Sequence, residues 1–202
     1  MACEESQVVA KEFRALGHEA YSSDLQECSG GHPEYHLGVD ASELLKIKWD
    51  LVIAHPPCTY LTNASSMRLR VNGVIDEERM EKARMAKEFF MRFYETDCPR
   101  IAIENPVPGR IHELPPYTQI IEPYMFGDPW KKRTCLWLKG LPKLIPTNPV
   151  EPLGLWVGAT SSRRDEKVHS RYALASIRDS KKRSKTFQGI GRAMAEQWGA
   201  CA

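Results

Sequence analysis

A chain of 202 residues with 42% hydrophobic content is long enough to bury one sizeable core and too short for two full enzyme domains, so a single domain over 1–202 is expected. The formal charge of +2 conceals an uneven distribution: acidic residues dominate the first half, while Arg163, Arg164, Lys167, Arg171, Arg178, Lys181, Lys182, Arg183 and Lys185 crowd the later part, as suits either a polyanionic partner or a solvated basic face. Six cysteines, with no signal-peptide pattern and no apolar run long enough to span a bilayer, exclude a disulfide scaffold and a membrane span and point to reduced thiols in the cytoplasm.

Taken in chain order, Val8 to Leu16 carries apolar residues at helical spacing, Gly17 is placed to stop that helix, and residues 18–22 read as a short strand. Cys28, His32 and His36 follow at ligand-like spacing, but a zinc site needs a fourth partner that the sequence does not supply, so no metal is expected. Ser42 to Ile47 reads as a short helix. The apolar run Trp49 to Ala54 reads as a buried parallel strand ending at a His55-Pro56-Pro57 turn. Asp76 to Tyr94 fits a long amphipathic helix, Arg100 to Glu104 another buried strand, and Thr134 to Leu138 a third. The proline-rich stretch Leu141 to Asn148 and the polar, basic stretch Thr160 to Ser184 read as an insert over 141–184, and Lys185 to Trp198 closes the chain with a helix. Such alternation predicts an α/β fold with a mostly parallel sheet.

Open α/β sheets bind ligands beyond the carboxyl ends of their strands. Asp24, the Pro56-Pro57-Cys58 triplet and the Glu104-Asn105-Pro106 triplet each directly follow an expected strand. A cysteine held on a Pro-Pro turn has a fixed direction, as a thiolate nucleophile needs, although a buried structural thiol would look the same. A carboxylate at the end of a neighbouring strand is the acid or hydrogen-bond partner that addition of a thiolate requires, so Cys58 and Glu104 together are more specific than either alone.

The order of Ile53-Ala54-His55-Pro56-Pro57-Cys58, Ile103-Glu104-Asn105-Pro106, Lys131-Lys132-Arg133-Thr134-Cys135-Leu136-Trp137-Leu138 and Phe187-Gln188-Gly189-Ile190-Gly191-Arg192-Ala193-Met194 resembles the C5-cytosine DNA methyltransferases, in particular their short, phage-type members. The resemblance implies a Rossmann-like S-adenosylmethionine-dependent methyltransferase fold. It implies that Cys58 attacks C6 of a cytosine in DNA, that Glu104 protonates or hydrogen-bonds N3, that Asn105 braces the site, and that Arg133 holds the base and Cys58 in register. It also implies S-adenosylmethionine as cofactor, with Asp24 on its ribose, Asp40 on its adenine amino group, and Glu4, Glu5, Ser6 and Pro56 lining the pocket. Two departures matter. The family's first strand is reduced here to the residues before Glu4, and the recognition domain is reduced to 141–184, where Arg163, Arg164 and Arg171 are expected to contact phosphates and a recognition partner or homodimer is left open. These departures keep two alternatives in view: a catalytically inactive nucleic-acid-binding protein of the same fold, and the same chemistry on a nucleotide or a single strand.

Overall fold

The computed structural model describes residues 1–152, 155–156 and 184–201. In chain order the elements are α1 (Val8–Ala15), β1 (Ser22–Ser23), β2 (His36–Leu37), α2 (Ala41–Leu44), β3 (Val52–Ala54), α3 (Asn63–Ser66), β4 (Arg70–Val71), β5 (Val74–Ile75), α4 (Glu77–Glu95), β6 (Ile101–Pro106), β7 (Gln119–Ile121), β8 (Trp130–Lys131), β9 (Thr134–Lys139), β10 (Leu155–Trp156) and α5 (Gln188–Gly199).

β3 pairs in parallel with β6, β9 runs antiparallel between β6 and β7, and β1 pairs in parallel with β2. Ala2 joins the two groups, bridging in parallel to Ser23 on one side and Ala54 on the other. Both backbone groups of Ala2 join this ladder: its amide donates to the Ile53 carbonyl at 2.8 Å, and its carbonyl accepts from the His55 amide at 2.9 Å. Across the sheet the order is therefore β2, β1, the Ala2 segment, β3, β6, β9, β7. This is a mixed, mostly parallel α/β sheet compatible with a Rossmann-like fold. Strand order reverses between the Ala2 segment and β3, which is the topological switch point where such sheets bind ligands.

The pleat divides the core between two faces. Ile53, Ala102 and Leu136 point toward Val9 and Phe13 of α1 and Met194 and Trp198 of α5. Val52, Ala54, Ile101, Ile103 and Trp137 point toward Phe90 and Phe93 of α4, with Phe90 edge-on to Trp137 at 5.0 Å between ring centres. Buried side chains of this size each contribute about 1.5–3 kcal/mol. α4 starts at Asp76, whose carboxylate accepts from the Arg79 amide at 3.0 Å, with Glu77 and Glu78 favourably placed in the first turn. Among the described residues no helix is long and apolar enough to cross a membrane.

The strand expected at 18–22 is shorter and later, at 22–23, and α2 ends at Leu44. The first part of the expected insert is fastened to the sheet and α5: the Gln119 amide exchanges hydrogen bonds with the Leu144 backbone at 2.7 and 2.9 Å, and the Trp198 indole donates to the Pro142 carbonyl at 3.0 Å. Most of the rest of 141–184 lies outside the described residues.

Below the Ala2 bridge, at the amino ends of the strands, a cavity of about 280 Å³ opens between Tyr21–Ser22 and Leu51–Val52. The Met1 α-amino group is buried there against the Tyr21 carbonyl, and burial pushes its pKa down. A peptide N–H in its place would make the same hydrogen bond without a buried charge.

Candidate active site

The loop that leaves the Ala2 segment is strained. Cys3 and Gln7 both have positive φ, 57° and 56°, a conformation that non-glycine residues hold only where surrounding contacts enforce it. Gln7 is fully buried and supplies those contacts: its amide donates to the Ser22 hydroxyl and the His32 carbonyl, and its oxygen accepts from the Cys28 thiol and the His32 amide. His36 lies between the Ser22 hydroxyl and the Gln26 carbonyl, both at 2.9 Å. Cys28, His32 and His36 are thus engaged in holding this loop, and no group of three or more His, Cys, Asp or Glu among the described residues could hold a metal ion.

A cavity of about 430 Å³ opens at the carboxyl ends of β1, β2 and β3. Its walls include Cys3, Asp24, Leu25, Val39, Asp40, Pro57 and Phe89. Asp24 and Asp40 thus line one cavity near the switch point. Asp40 also caps α2, accepting from the Ser42 amide at 2.7 Å, and that hydrogen bond draws its carboxyl below the usual range. Burial, with Asp24 and Asp40 nearby, pushes the Cys3 thiol up to about 12, so it stays protonated.

Four expected cofactor residues are placed differently. Glu4 turns away from the cavity and caps α1, accepting from the amides of Val9 at 2.6 Å and Ala10 at 3.3 Å. The positive end of a helix draws a nearby carboxylate, and an acid just ahead of an apolar helical run signals that role. Glu5 is buried and pairs with Lys185 at 3.8 Å. Ser6 is buried and its carbonyl is packed against Gly30, where a Cβ would come within 2.6 Å. Pro56 is buried and Pro57 supplies the cavity wall, because successive residues of an extended segment face opposite ways.

The second part of the site grows from β3 and β6. Their parallel register pairs Ala54 with Ile103, so His55 and Glu104 emerge side by side. His55 Nδ1 lies 2.8 Å from Glu104 Oε2 and acts as its donor. The Thr186 hydroxyl donates to the same oxygen at 3.1 Å, and Lys132 Nζ lies 3.9 Å from Oε1. Glu104 is buried, which by itself favours the neutral acid; Lys132, His55 and Thr186 outweigh burial and bring its pKa down to about 2. Glu104 is thus a carboxylate at neutral pH. Asn105 is buried in β6, and neither polar atom of its side chain has a hydrogen-bond partner among the described residues.

Cys58 is half-buried and follows Pro57 of the cavity wall. Its loop is tied to the one after β6: the Asn63 amide donates to the Val107 carbonyl and the Gly109 amide to the Leu61 carbonyl, each at 2.9 Å. The two motifs therefore share one end of the sheet. Gly109 permits this approach, since a Cβ there would lie 1.7 Å from the Ser66 hydroxyl oxygen.

The basic residue beside Glu104 is Lys132 and not Arg133, which is exposed and acts on Glu122 and Cys135. Neighbouring residues entering a strand face opposite sides, so a one-residue difference decides which charge reaches the site. The sequence reading also missed His55, Thr186 and Lys185. His55 was within reach, being the residue before Pro56 on a strand parallel to that of Glu104. Thr186 was not, because its approach depends on how α5 docks. Arg163, Arg164 and Arg171 lie outside the described residues.

The arrangement combines a cysteine on a Pro-Pro turn, an ionised carboxylate held by two donors and a lysine, and a cavity bearing two carboxylates that is walled in part by Pro57 of the same turn. It suits nucleophilic addition to a polar heterocycle beside a second, cationic or hydroxyl-bearing ligand. No protein-family model matches the chain, and no curated protein matches it in sequence.

Proposed function

We propose that the protein is an S-adenosylmethionine-dependent methyltransferase acting on C5 of cytosine in DNA through a covalent Cys58 adduct. The observation that carries this reading is the pairing of His55, which leads into the Pro56-Pro57-Cys58 turn, with the buried Glu104 carboxylate on adjacent parallel strands, Pro57 of the same turn lining the two-carboxylate cavity.

The residues present fit that cofactor. Asp24 and Asp40 offer acceptors for ribose hydroxyls and an adenine amino group, and Leu25 and Val39 offer apolar surface for a flat ring. Glu4 fills the amino end of α1, where a dinucleotide would place its pyrophosphate, so a ligand without phosphate suits the site better. Bound S-adenosylmethionine would supply an electrophilic methyl group on a sulfonium. The chain's own residues then do the following. Cys58 adds to C6 of the pyrimidine, which makes C5 nucleophilic. Glu104, immobilised by His55 and Thr186, meets the polar edge of the base. Asn105, next in β6 and so on the other side of the sheet from Glu104, has a side chain without a hydrogen-bond partner among the described residues and is proposed to brace the Cys58 turn. A target in a duplex must leave the stack to reach this end of the sheet, at a cost of about a few kcal/mol. Arg163, Arg164 and Arg171 are proposed as phosphate contacts that help offset it.

Duplex DNA, single-stranded DNA and deoxycytidine nucleotides, compared as acceptors of a radiolabelled methyl group, test this reading. Methylation of DNA at C5 of cytosine is expected. Transfer to the nucleotide alone would move the substrate from DNA to the nucleotide pool, and transfer to none of the three would contradict the proposal.

A further inference from the structure

The charge state of Glu104 bears on how the base is activated. Addition of a thiolate to C6 drives electrons toward N3, which must gain a proton or a strong hydrogen bond. A carboxyl with a pKa of about 2 has no proton to give at neutral pH. His55 and Thr186 both donate to Oε2, which leaves Oε1 facing Lys132 at 3.9 Å, too far for a hydrogen bond between them. Lys132 Nζ donates to the Lys185 carbonyl at 3.3 Å, and an ammonium carries three protons. Glu104 and Lys132 thus present an acceptor beside a charged donor. The edge of cytosine presents the complement, an N4 amino donor beside the N3 acceptor.

We infer that Lys132 is a catalytic residue of the proposed reaction, donating to N3 of the target cytosine while Glu104 Oε1 accepts from the N4 amino group. His55 and Thr186 are positioning residues that occupy the other carboxylate oxygen. The inference rests on the methyltransferase reading and names the group that activates its substrate. As the bond from Cys58 Sγ to C6 forms, the C5–C6 π pair shifts to C4–C5, the C4–N3 π pair becomes a lone pair on N3, and N3 takes a proton from Lys132 Nζ. Without cofactor the C4–C5 π pair then takes a proton from solvent at C5 as the C4–N3 π bond re-forms; the original hydrogen on C5 leaves to solvent, its electron pair becomes the C5–C6 π bond as the S–C6 bond breaks to restore the thiolate, and N3 returns its proton to Lys132.

Release of tritium from DNA containing [5-³H]cytosine, without cofactor, reads this addition step directly. Lys132→Met is expected to slow release by about 10²–10³-fold. Lys132→Arg keeps the ion pair with Glu104 but carries a guanidinium that does not give up a proton, so a folded Lys132→Arg protein is expected to stay at least about 10-fold slow. DNA containing [5-³H]uracil, whose N3–H would oppose the ammonium, is expected to release little. Release within about threefold of the unmodified protein by either folded variant, or equal release from uracil, would overturn the assignment of Lys132. No release from cytosine by the unmodified protein, with either cytosine-bearing duplex or single strands, would overturn the underlying reading and this inference with it.

Discussion

If the proposed reaction is the protein's activity, replacing Cys58 by alanine is expected to remove methyl transfer to cytosine by about 10⁴-fold or more, with little change in folding or in affinity for S-adenosylmethionine. The size follows from the role: without the thiolate there is no bond to C6, C5 of the aromatic base is too weak a nucleophile, and the remaining groups act on a step that no longer occurs. The small structural cost follows from the geometry. Cys58 is half-buried, and the Leu61 amide donates to its backbone carbonyl at 3.1 Å, a hydrogen bond that alanine retains. DNA containing 5-fluorocytosine provides the check, because fluorine on C5 prevents the final elimination. The unmodified protein should form a denaturation-resistant adduct and Cys58→Ala none. An adduct that survives the substitution would place the nucleophile elsewhere.

The second large effect is expected at Glu104, where one substitution should change both activity and acid stability. Glu104→Gln is expected to lower methyl transfer by about 10²–10⁴-fold and stability by about 3 kcal/mol, because the amide leaves Lys132 without its counter-ion and cannot accept from His55 and Thr186 as a carboxylate does. The folded pKa, about 2, lies below the ordinary value of 4.5. A carboxyl of this kind adds stability that is fully present above about pH 4.5 and is lost as the pH falls through the folded value near 2. Denaturant titrations of both proteins should therefore differ most near neutral pH and converge between about pH 4.5 and 2. A gap that stays constant over that range would show that the carboxyl does not titrate as the site requires.

The parts of this molecule that could be read from its residues were those set by local pattern. The apolar runs of β3 and β6, and the 3.6-residue spacing of α1 and α4, record which faces are buried, and the ends of β3 and β6 are where the two motifs meet. What escaped depended on register and long-range docking. Lys132 and Arg133 are adjacent and alike in charge, and only the pairing of Thr134 with Pro106 settles which one faces Glu104. Glu4 and Asp24 are both acids next to expected elements, yet one caps a helix and the other lines a cavity, because the loop over residues 5–7 brings the first turn of α1 back onto the Glu4 carboxylate. β7 and β8 are too short, at three and two residues, to leave a periodic signature. The β4–β5 hairpin was legible in principle from Asn72-Gly73, whose φ angles of 52° and 84° suit a two-residue turn.

The central claim is that the cavity holding Asp24 and Asp40 is a cofactor site serving Cys58. Calorimetric titration of the protein with S-adenosylmethionine, repeated with S-adenosylhomocysteine and with the Asp40→Ala variant, tests it most directly. The account predicts micromolar binding of both ligands, weakened by about tenfold or more in Asp40→Ala through loss of a charge-assisted hydrogen bond. A folded protein that binds neither ligand would contradict it.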